Sequence, residues 1–425
     1  MTLIIMLATF FVLLFLGAPI VLAMGAAGMS WLLSVGNIPL LSFAQKIYTA
    51  TDSFGLLAIP FFMLAGQVME RAGITEKLVD FADACIGWVT GGLACVCELA
   101  GMLMAGISGS ANADASALGS MMIPALKKGG YHSGWAAAIA ASAASIGPII
   151  PPSCTMLVYA NAAGLNIGRL FMGGIIPGIM LGLGYMVVCV IYAKKEGIPK
   201  TEFKGFKNLV RAFFNAFWAL LMPIIIIGGI MLGVFTATES GCIAAIYGIC
   251  YGFVTKTLTW KQLKESFKGA MVGAVGPLAL IAFSSIVSFA MAREGITAAI
   301  AQFCTTYLNS QVAVLLFVIL ICFIAGMFID GTATMLILTP IMLPIVEAMG
   351  IDVQVFSMIF MLGVVSGGIT PPVGGHLFIA CAAGGVDFKD CIKPAIPFAC
   401  VMMIVMIIMC FVPGISTFIP NLVFG

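Results

Sequence analysis

The chain has 425 residues, of which 62% are hydrophobic and only 8% are charged. Because soluble proteins carry about 25% charged residues, this composition excludes a soluble domain and indicates an integral membrane protein. The formal net charge is +2. The sequence has no basic stripe with interleaved aromatic residues, so nothing in it suggests nucleic-acid binding. The apolar runs are long and continuous, which predicts a helical bundle and not a barrel of short alternating strands.

The first fifth of the chain is interpreted as two spans and a surface helix. We expect one span over residues 3–33 with a break near Gly17, and a second over residues 54–69. Residues 1–24 lack a basic start and a small-residue cleavage site, which predicts a retained span and not a signal peptide. Acidic and apolar residues mix in residues 74–84, which is typical of a helix at the membrane surface.

A polar stretch interrupts apolar sequence at residues 106–114 (GISGSANAD). The flanking arms, residues 88–105 and 113–126, are each shorter than the roughly 20 residues of a full crossing. We therefore predict a re-entrant helical hairpin with the polar stretch at its tip. The next helical region, residues 134–164, is interrupted at residues 147–153 (GPIIPPS), because proline removes an N–H donor and clashes with the preceding turn.

The same pattern returns in the second half of the chain. Arms at residues 312–325 and 335–346 flank the polar stretch 326–334, and a helical region at residues 356–384 is broken at residues 367–372. Ordinary spans are predicted at residues 170–193, 212–235, 241–254, 270–292 and 392–412.

A shift of 220 aligns the two halves without gaps over some seventy residues. Glycine and proline recur at the same breaks, as in the pairs Gly106/Gly326, Pro124/Pro344, Gly147/Gly367, Pro151/Pro371, Pro152/Pro372 and Pro177/Pro397. Apolar composition makes chance matches of alanine or isoleucine easy, but not of paired glycine and proline at the breaks. The pattern therefore predicts an internal duplication.

Lysine and arginine placement predicts the orientation of each half. The basic loops 194–211 and 256–268 are expected in the cytoplasm. Counting spans from these loops, the first hairpin enters from the cytoplasm and the second from outside. Inverted repeats with discontinuous helices are typical of secondary transporters, so we predict an all-α polytopic membrane protein of that architecture.

The broken segments offer two kinds of binding chemistry. Helix N-termini carry partial positive charge and unpaired N–H groups, which suit an anion, whereas unwound carbonyls and hydroxyls suit a hard cation such as sodium. The candidate substrate contacts are Ser108, Asn112, Ser153, Asp330 and His376. The candidate cation ligands are Ser108, Ser110, Asn112, Gly147, Ile150, Pro152, Gly331, Thr332, Gly367, Thr370 and Val373.

Each candidate has a simpler structural alternative. Hydroxyls in membrane helices often bond to their own backbone or to a neighbouring helix. Asp330 is a functional candidate because an intramembrane carboxylate is costly, but it could also cap a hairpin helix. Asp114 could likewise be a cap, His376 could line the site or pack in the core, and Glu98 has no assigned role. Cysteines lie inside apolar runs without metal or redox spacing, which favours buried packing.

The tips and breaks resemble a known family. Residues 106–119 (GISGSANADASALG), 146–153 (IGPIIPPS) and 369–374 (ITPPVG) closely resemble the large membrane subunit of tripartite ATP-independent periplasmic (TRAP) transporters. The resemblance covers nearly the whole chain. It implies an elevator-type carrier in the bacterial inner membrane that is driven by a sodium gradient, with about two sodium sites. It also implies a small four-helix membrane subunit and a periplasmic binding protein as partners.

The same resemblance implies the cargo and the division of the chain. Cargoes in the family are mostly organic anions with a carboxylate, and Asn112, Ser153 and Asp330 make sialic acid our first expectation. The expected units are scaffold helices (1–85), two transport-domain halves (86–165 and 311–386), connecting and scaffold helices (166–310) and a last scaffold helix (387–425).

Some expectations do not follow the family pattern. The family commonly has a Leu-Asn pair where this chain has Gly375 and His376, so an asparagine role is not carried over.

Because the first span starts at Met1, we expect the small subunit on a separate chain. A stand-alone sodium/carboxylate symporter is the alternative. The sequence shows no nucleophile-base pair, metal-ligand cluster or phosphate loop, so an enzyme is not expected.

Overall fold

The computed structural model describes residues 1–308 and 310–425, and those residues form helices and connecting turns with no β-strand. The α-helices are α1 Thr2–Phe15, α2 Ile20–Val35, α3 Leu41–Thr51, α4 Ala58–Arg71, α5 Ile74–Ile86, α6 Gly92–Ser108, α7 Ala111–Lys128, α8 Ser133–Ser145, α9 Cys154–Ala163, α10 Ile167–Lys195, α11 Phe206–Met231, α12 Ala237–Val254, α13 Trp260–Arg293, α14 Ile296–Tyr307, α15 Gln311–Gly326, α16 Gly331–Ala348, α17 Val353–Ser366, α18 Gly375–Gly384, α19 Phe388–Phe411 and α20 Gly414–Phe424. Two 3₁₀ turns cover Phe54–Leu57 and Gly367–Ile369.

Seven helical segments in the described chain are long and apolar enough to cross a membrane. They are Phe54–Arg71, α10, α11, α12, α13, α16 and α19. The expected multi-pass membrane protein is therefore confirmed at this level. One arm of the second predicted hairpin, α16, is 18 residues long and belongs to this group, so its length alone does not distinguish it from a span.

Both predicted helix–tip–helix segments and both interrupted helices are present. The first segment is α6 and α7, which join at Gly109 in a left-handed conformation (φ +57°), and the second is α15 and α16. The first interruption separates α8 from α9, and the second separates α17 from α18. Both Pro-Pro bonds at the interruptions, Pro151–Pro152 and Pro371–Pro372, are cis.

The helix boundaries repeat with the shift seen in the sequence. α7 spans 111–128 and α16 spans 331–348, so both ends differ by 220 (331 − 111 and 348 − 128). Each tip also contacts the break of its own half through the backbone. The amide of Cys154 donates to the carbonyl of Gly109 (3.2 Å), and the amide of Val373 donates to the carbonyl of Met327 (3.3 Å). A glycine is required at 109, because a Cβ there would lie 2.7 Å from the Pro152 carbonyl oxygen.

The two halves pack against each other around the tips. α7 contacts α18, and α16 contacts α9, so each half supplies a hairpin arm to the half-helix of the other. A buried hydrogen bond joins the Tyr159 hydroxyl to that of Ser357 (3.0 Å) across the halves. α8 is rich in alanine and almost entirely buried, since small side chains allow close helix approach. The helices α2, α4, α12 and α13 pack together outside this unit.

The predicted single span over residues 3–33 is wrong. Gly17 is left-handed (φ +81°) and Pro19 precedes α2, so the chain reverses and α1 packs antiparallel to α2. Thr2 and Trp31, at opposite ends of the segment, both donate to the Glu294 carboxylate. The sequence analysis assigns no helix to the segments that form α3, α14 and α20.

Candidate functional site

A cavity of about 210 Å³ lies where the two tips meet the two breaks. It is lined by Ser110, Ala111, Asn112, Pro148, Thr155, Gly326, Ile329, Asp330, Gly331, Thr332, Val364, Val365, Gly368, Val373, Gly375 and His376. We call this the tip cavity. Its lining draws on both halves of the chain, so neither half forms it alone.

Four helices point their N-termini at the tip cavity. α7, α9, α16 and α18 each contribute a residue of the first turn to its lining: Ala111, Thr155, Gly331 and Gly375. The first N–H groups of a helix lack intrahelical partners and carry partial positive charge. No lysine or arginine is among the lining residues, so the partial positive charge offered to a ligand here is that of the helix N-termini. This geometry suits a bound anion.

Asp330 lies in the tip cavity and also caps a hairpin helix. Its side chain lines the tip cavity and is exposed there, while Oδ1 accepts a hydrogen bond from the Thr332 amide (3.0 Å) and so caps α16. Thr332 and Gly331 line the same cavity. The cap fixes the carboxylate at the start of the helix, where a negative charge is stabilised.

His376 lines the cavity instead of packing away from it. A Cβ built on Gly368 would lie 2.2 Å from the His376 Nδ1, so the imidazole rests directly against the Gly368 backbone. Nδ1 is buried and has no hydrogen-bond partner in the described chain. Only glycine at 368 leaves room for the ring in this position.

Ser108 lies outside the tip cavity. Its hydroxyl donates to Oδ1 of Asp114 (2.6 Å) and accepts from the Ser110 amide (3.3 Å). Ser108 and Asp114 line a second, smaller cavity of about 90 Å³, beside Gln67 and Glu70 of α4. Ser110 lines both cavities, so the first tip forms the wall between them.

Asp114 is not the helix cap considered for it. Its side chain is fully buried, and Oδ2 has no hydrogen-bond partner among the described residues. A Cβ on Gly147 would lie 2.6 Å from this oxygen. The free carboxylate oxygen therefore lies between the first tip and the first break, the place where the sequence predicts a cation.

Ser153 is turned away from the tip cavity. It is fully buried, donates to the Pro148 carbonyl (2.8 Å) and accepts from the Met156 amide (3.2 Å), so it caps α9. Thr155, two residues further on, lines the cavity instead. Sequence reasoning missed Thr155, although a hydroxyl in the first turn of a half-helix was an available signal.

The predicted cation ligands divide into two groups. Those that line the tip cavity are Ser110, Asn112, Gly331, Thr332 and Val373. The others do not line the tip cavity: Ser108, Gly147, Ile150, Pro152, Gly367 and Thr370. In that second group, Thr370 donates to the Ser366 carbonyl (2.7 Å), and the Ile150 side chain packs against Gly178. Gly367 touches the backbone of Gly326, since a Cβ added to Gly367 would lie 2.1 Å from the carbonyl carbon of Gly326.

Comparison with known proteins connects this geometry to a family. Residues 7–415 match the family model described as Tripartite ATP-independent periplasmic transporter, DctM component. The chain is 36% identical over 411 residues to the isethionate TRAP transporter permease protein DctMQ of Oleidesulfovibrio alaskensis, covering 95% of this chain and 64% of that protein. It is 33% identical over 422 residues to the sialic acid TRAP transporter large permease protein SiaM of Vibrio cholerae, covering 97% of each.

Solved structures of other proteins share the fold. The crystal structure of the YdaH transporter of Alcanivorax borkumensis superposes with a TM-score of 0.64 over 87% of each chain, at 16% sequence identity. At that identity the likeness speaks for the architecture alone.

Proposed function

This chain belongs to the tripartite ATP-independent periplasmic transporter family as a DctM component, and we propose that it imports an organic anion across the inner membrane, driven by the sodium gradient. The relatives are named as permeases, and the chain is a transporter and not an enzyme. The observation that carries the proposal is the convergence of four helix N-termini on the tip cavity. Such N-termini attract negative charge without a basic side chain.

Sodium would bind at the two places where a tip meets a break. At the first, oxygen ligands are available from Ser108, Ser110, Asn112 and the backbone near Gly147, with the free oxygen of Asp114 beside them. At the second they come from Gly331, Thr332, Thr370 and the backbone near Gly367 and Val373. Hard cations prefer oxygen ligands of this kind. A cation that holds each tip on its break would couple ion binding to the shape of the tip cavity.

The proposed movement is of the elevator type, with the two halves inserted in opposite directions. The moving body would be the two hairpins with the two broken helices, and the remaining helices would form the scaffold. Two cavities lie along this proposed boundary. The smaller cavity separates α7 from α4 and α13, and another of about 470 Å³ separates α16 and α9 from α3 and α13. Loose packing there would let one body slide along the other.

The cargo is proposed only as a class. Relatives are named for isethionate and for sialic acid, which are both organic anions. The family name describes a tripartite system, so we propose a small membrane subunit and a periplasmic binding protein as partners. A stand-alone symporter that needs no binding protein is the second candidate.

Vesicle reconstitution tests the proposal. The chain, with its small subunit, is placed in vesicles, and uptake of a labelled organic acid supplied by the binding protein is measured with a sodium or a potassium gradient. We expect uptake with sodium only, and a loss of about tenfold or more in Asn112→Ala and Thr332→Ala. Ser120→Ala, an exposed serine of α7 outside the cavity, is the matched control. Equal uptake in potassium rejects sodium coupling, and uptake without the binding protein favours the stand-alone symporter.

A further inference from the structure

The tip cavity contains two polar groups that a simple anion would leave unpartnered. Asp330 uses Oδ1 to cap α16, and in the described chain no hydrogen bond reaches its other oxygen. His376 makes no hydrogen bond through either ring nitrogen within the same described residues, and its Nδ1 is buried. A buried polar atom such as Nδ1 of His376 costs free energy unless it is paired, whereas the exposed Asp330 oxygen is open to a hydrogen bond from a bound molecule. The cavity therefore favours a cargo that brings hydrogen-bonding groups to both side chains.

The position of His376 is built into the second half. Its counterpart in the first half, 220 residues earlier (376 − 220), is Met156, which is fully buried. The imidazole is held against the backbone of Gly368, where any larger residue would displace it. A side chain held in this way contributes to recognition without losing much rotamer freedom. The two halves thus differ in polarity at equivalent positions, and only His376 lies in the cavity wall.

The charge at Asp330 limits which anions fit. A dianion would bring a second negative group into a cavity that already holds the Asp330 carboxylate and that no lysine or arginine lines. Like charges at close range are unfavourable. A hydroxyl group, in contrast, can donate to the carboxylate and either donate to or accept from the imidazole.

From these contacts we infer that the cargo is a hydroxylated monoanion, a hydroxy acid or sugar acid, and that His376 and Asp330 bind its hydroxyl groups while the helix N-termini bind its anionic group. This inference rests on the proposed function and narrows its cargo class. It also assigns His376 as the residue that distinguishes a hydroxylated acid from its unhydroxylated analogue. A site built to bind a hydroxyl discriminates against an analogue that lacks one, because its polar groups then stay unpaired.

The test measures binding to the membrane complex without the binding protein, since that protein would impose its own selectivity. Dissociation constants come from thermal stabilisation of the purified complex in lipid nanodiscs with sodium present. Two pairs of probes differ by one hydroxyl group: lactate with propionate, and malate with succinate. Gluconate is the fifth probe. We expect the hydroxylated monoanion lactate to bind about tenfold more tightly than propionate, and gluconate to bind more tightly than succinate.

Two substitutions assign the preference to the imidazole. His376→Leu is expected to bring the lactate-to-propionate ratio close to one, and His376→Asn, which retains a donor and an acceptor, is expected to keep part of it. His132→Leu is the matched control, since His132 is largely exposed and lies beside Glu196. Propionate binding by His376→Leu would establish that this variant is folded.

An unchanged ratio in His376→Leu overturns the assignment of His376, and tighter binding of succinate than of gluconate overturns the cargo class. If His376→Leu binds neither lactate nor propionate, the other two variants decide. A lactate-to-propionate ratio that is unchanged in both His376→Asn and Gly368→Ala counts against the assignment of His376. The absence of binding by every probe in the unsubstituted complex would overturn this inference, whereas the proposed transport would be overturned by the absence of sodium-driven uptake when the binding protein supplies the cargo.

Discussion

The Ser108 hydroxyl donates a 2.6 Å hydrogen bond to Oδ1 of Asp114 across the tip of the first hairpin. Ser108 is the last residue of α6, and Asp114 lies in the first turn of α7, so the bond closes the tip. The carboxylate is fully buried and its other oxygen has no partner in the described chain. Because a buried carboxylate depends on each donor it has, the two residues should act as a unit.

Ser108→Ala is expected to lower the free energy of unfolding by about 1.5–3 kcal/mol, because it leaves a buried carboxylate without its hydroxyl donor. Asp114→Asn should weaken the same bond, so the double variant should cost less than the sum of the two single variants. Chemical unfolding in mixed micelles measures all four proteins. Ser120→Ala, whose hydroxyl bonds only to its own helix, should change stability little. Strictly additive costs would show that the two residues are not coupled.

Gly367→Ala is expected to separate the second tip from its break. A Cβ at 367 would lie within 2.4 Å of the carbonyl carbon, carbonyl oxygen and Cα of Gly326, and backbone cannot swing aside as a side chain does. We expect a cost of about 1–3 kcal/mol in stability, with loss of sodium-driven uptake. Thermal unfolding and vesicle uptake are the measurements.

Gly276→Ala is the matched control for that substitution, because no atom lies within 4 Å of a Cβ at this exposed position of α13. Alanine there should be neutral or stabilise the helix by about 0.5–1 kcal/mol. A Gly367→Ala protein as active and stable as Gly276→Ala would contradict the close packing of tip and break.

Glu98 is expected to tolerate an amide but not a positive charge. Its side chain is fully buried between α6, α8 and α10, with Oε1 accepting from Ser142 (2.7 Å) and no ion pair for it among the described residues. Glu98→Gln preserves the shape and should stay within about 1 kcal/mol of the unsubstituted protein. Glu98→Lys buries an unpaired ammonium and should prevent stable folding.

Yield of monodisperse protein and its thermal midpoint check this expectation. Glu202→Lys makes the same charge change at an exposed position and serves as the control. Normal yield of Glu98→Lys would mean that this region is open to water or to a counter-ion.

The tips and breaks were predictable from sequence because glycine and proline stand out in apolar segments. The direction of individual side chains was not. Gly109 is left-handed, and around it Ser108 turns to Asp114 while Ser110 reaches the tip cavity. Hydroxyls near a helix start compete between capping and facing a cavity, and sequence spacing cannot decide the outcome.

The N-terminal hairpin was missed for a related reason. A glycine followed by proline in an apolar run predicts a break, but not whether the chain continues or reverses. The reversed chain makes contacts distant in sequence, namely those of Thr2 and Trp31 with Glu294. Long-range pairs of this kind are invisible to local periodicity, as is the approach of Asp114 to Gly147.

The contact between that hairpin and α13 should make stability depend on acidic pH. Hydrogen bonds from the Trp31 indole (2.9 Å) and the Thr2 hydroxyl (2.7 Å) hold the pKa of Glu294, just beyond the end of α13, below its ordinary value of 4.5. Since the folded-state pKa lies below the unfolded one, the stabilisation is fully present above about 4.5 and is lost as the pH falls through the folded value. Thermal midpoints between about pH 6 and pH 3 should therefore fall more steeply for the unsubstituted protein than for Glu294→Gln, with the two curves converging at the acidic end. Thr2→Val removes one donor and should give an intermediate slope, whereas parallel curves for all three proteins would show that this carboxylate does not hold the hairpin in place.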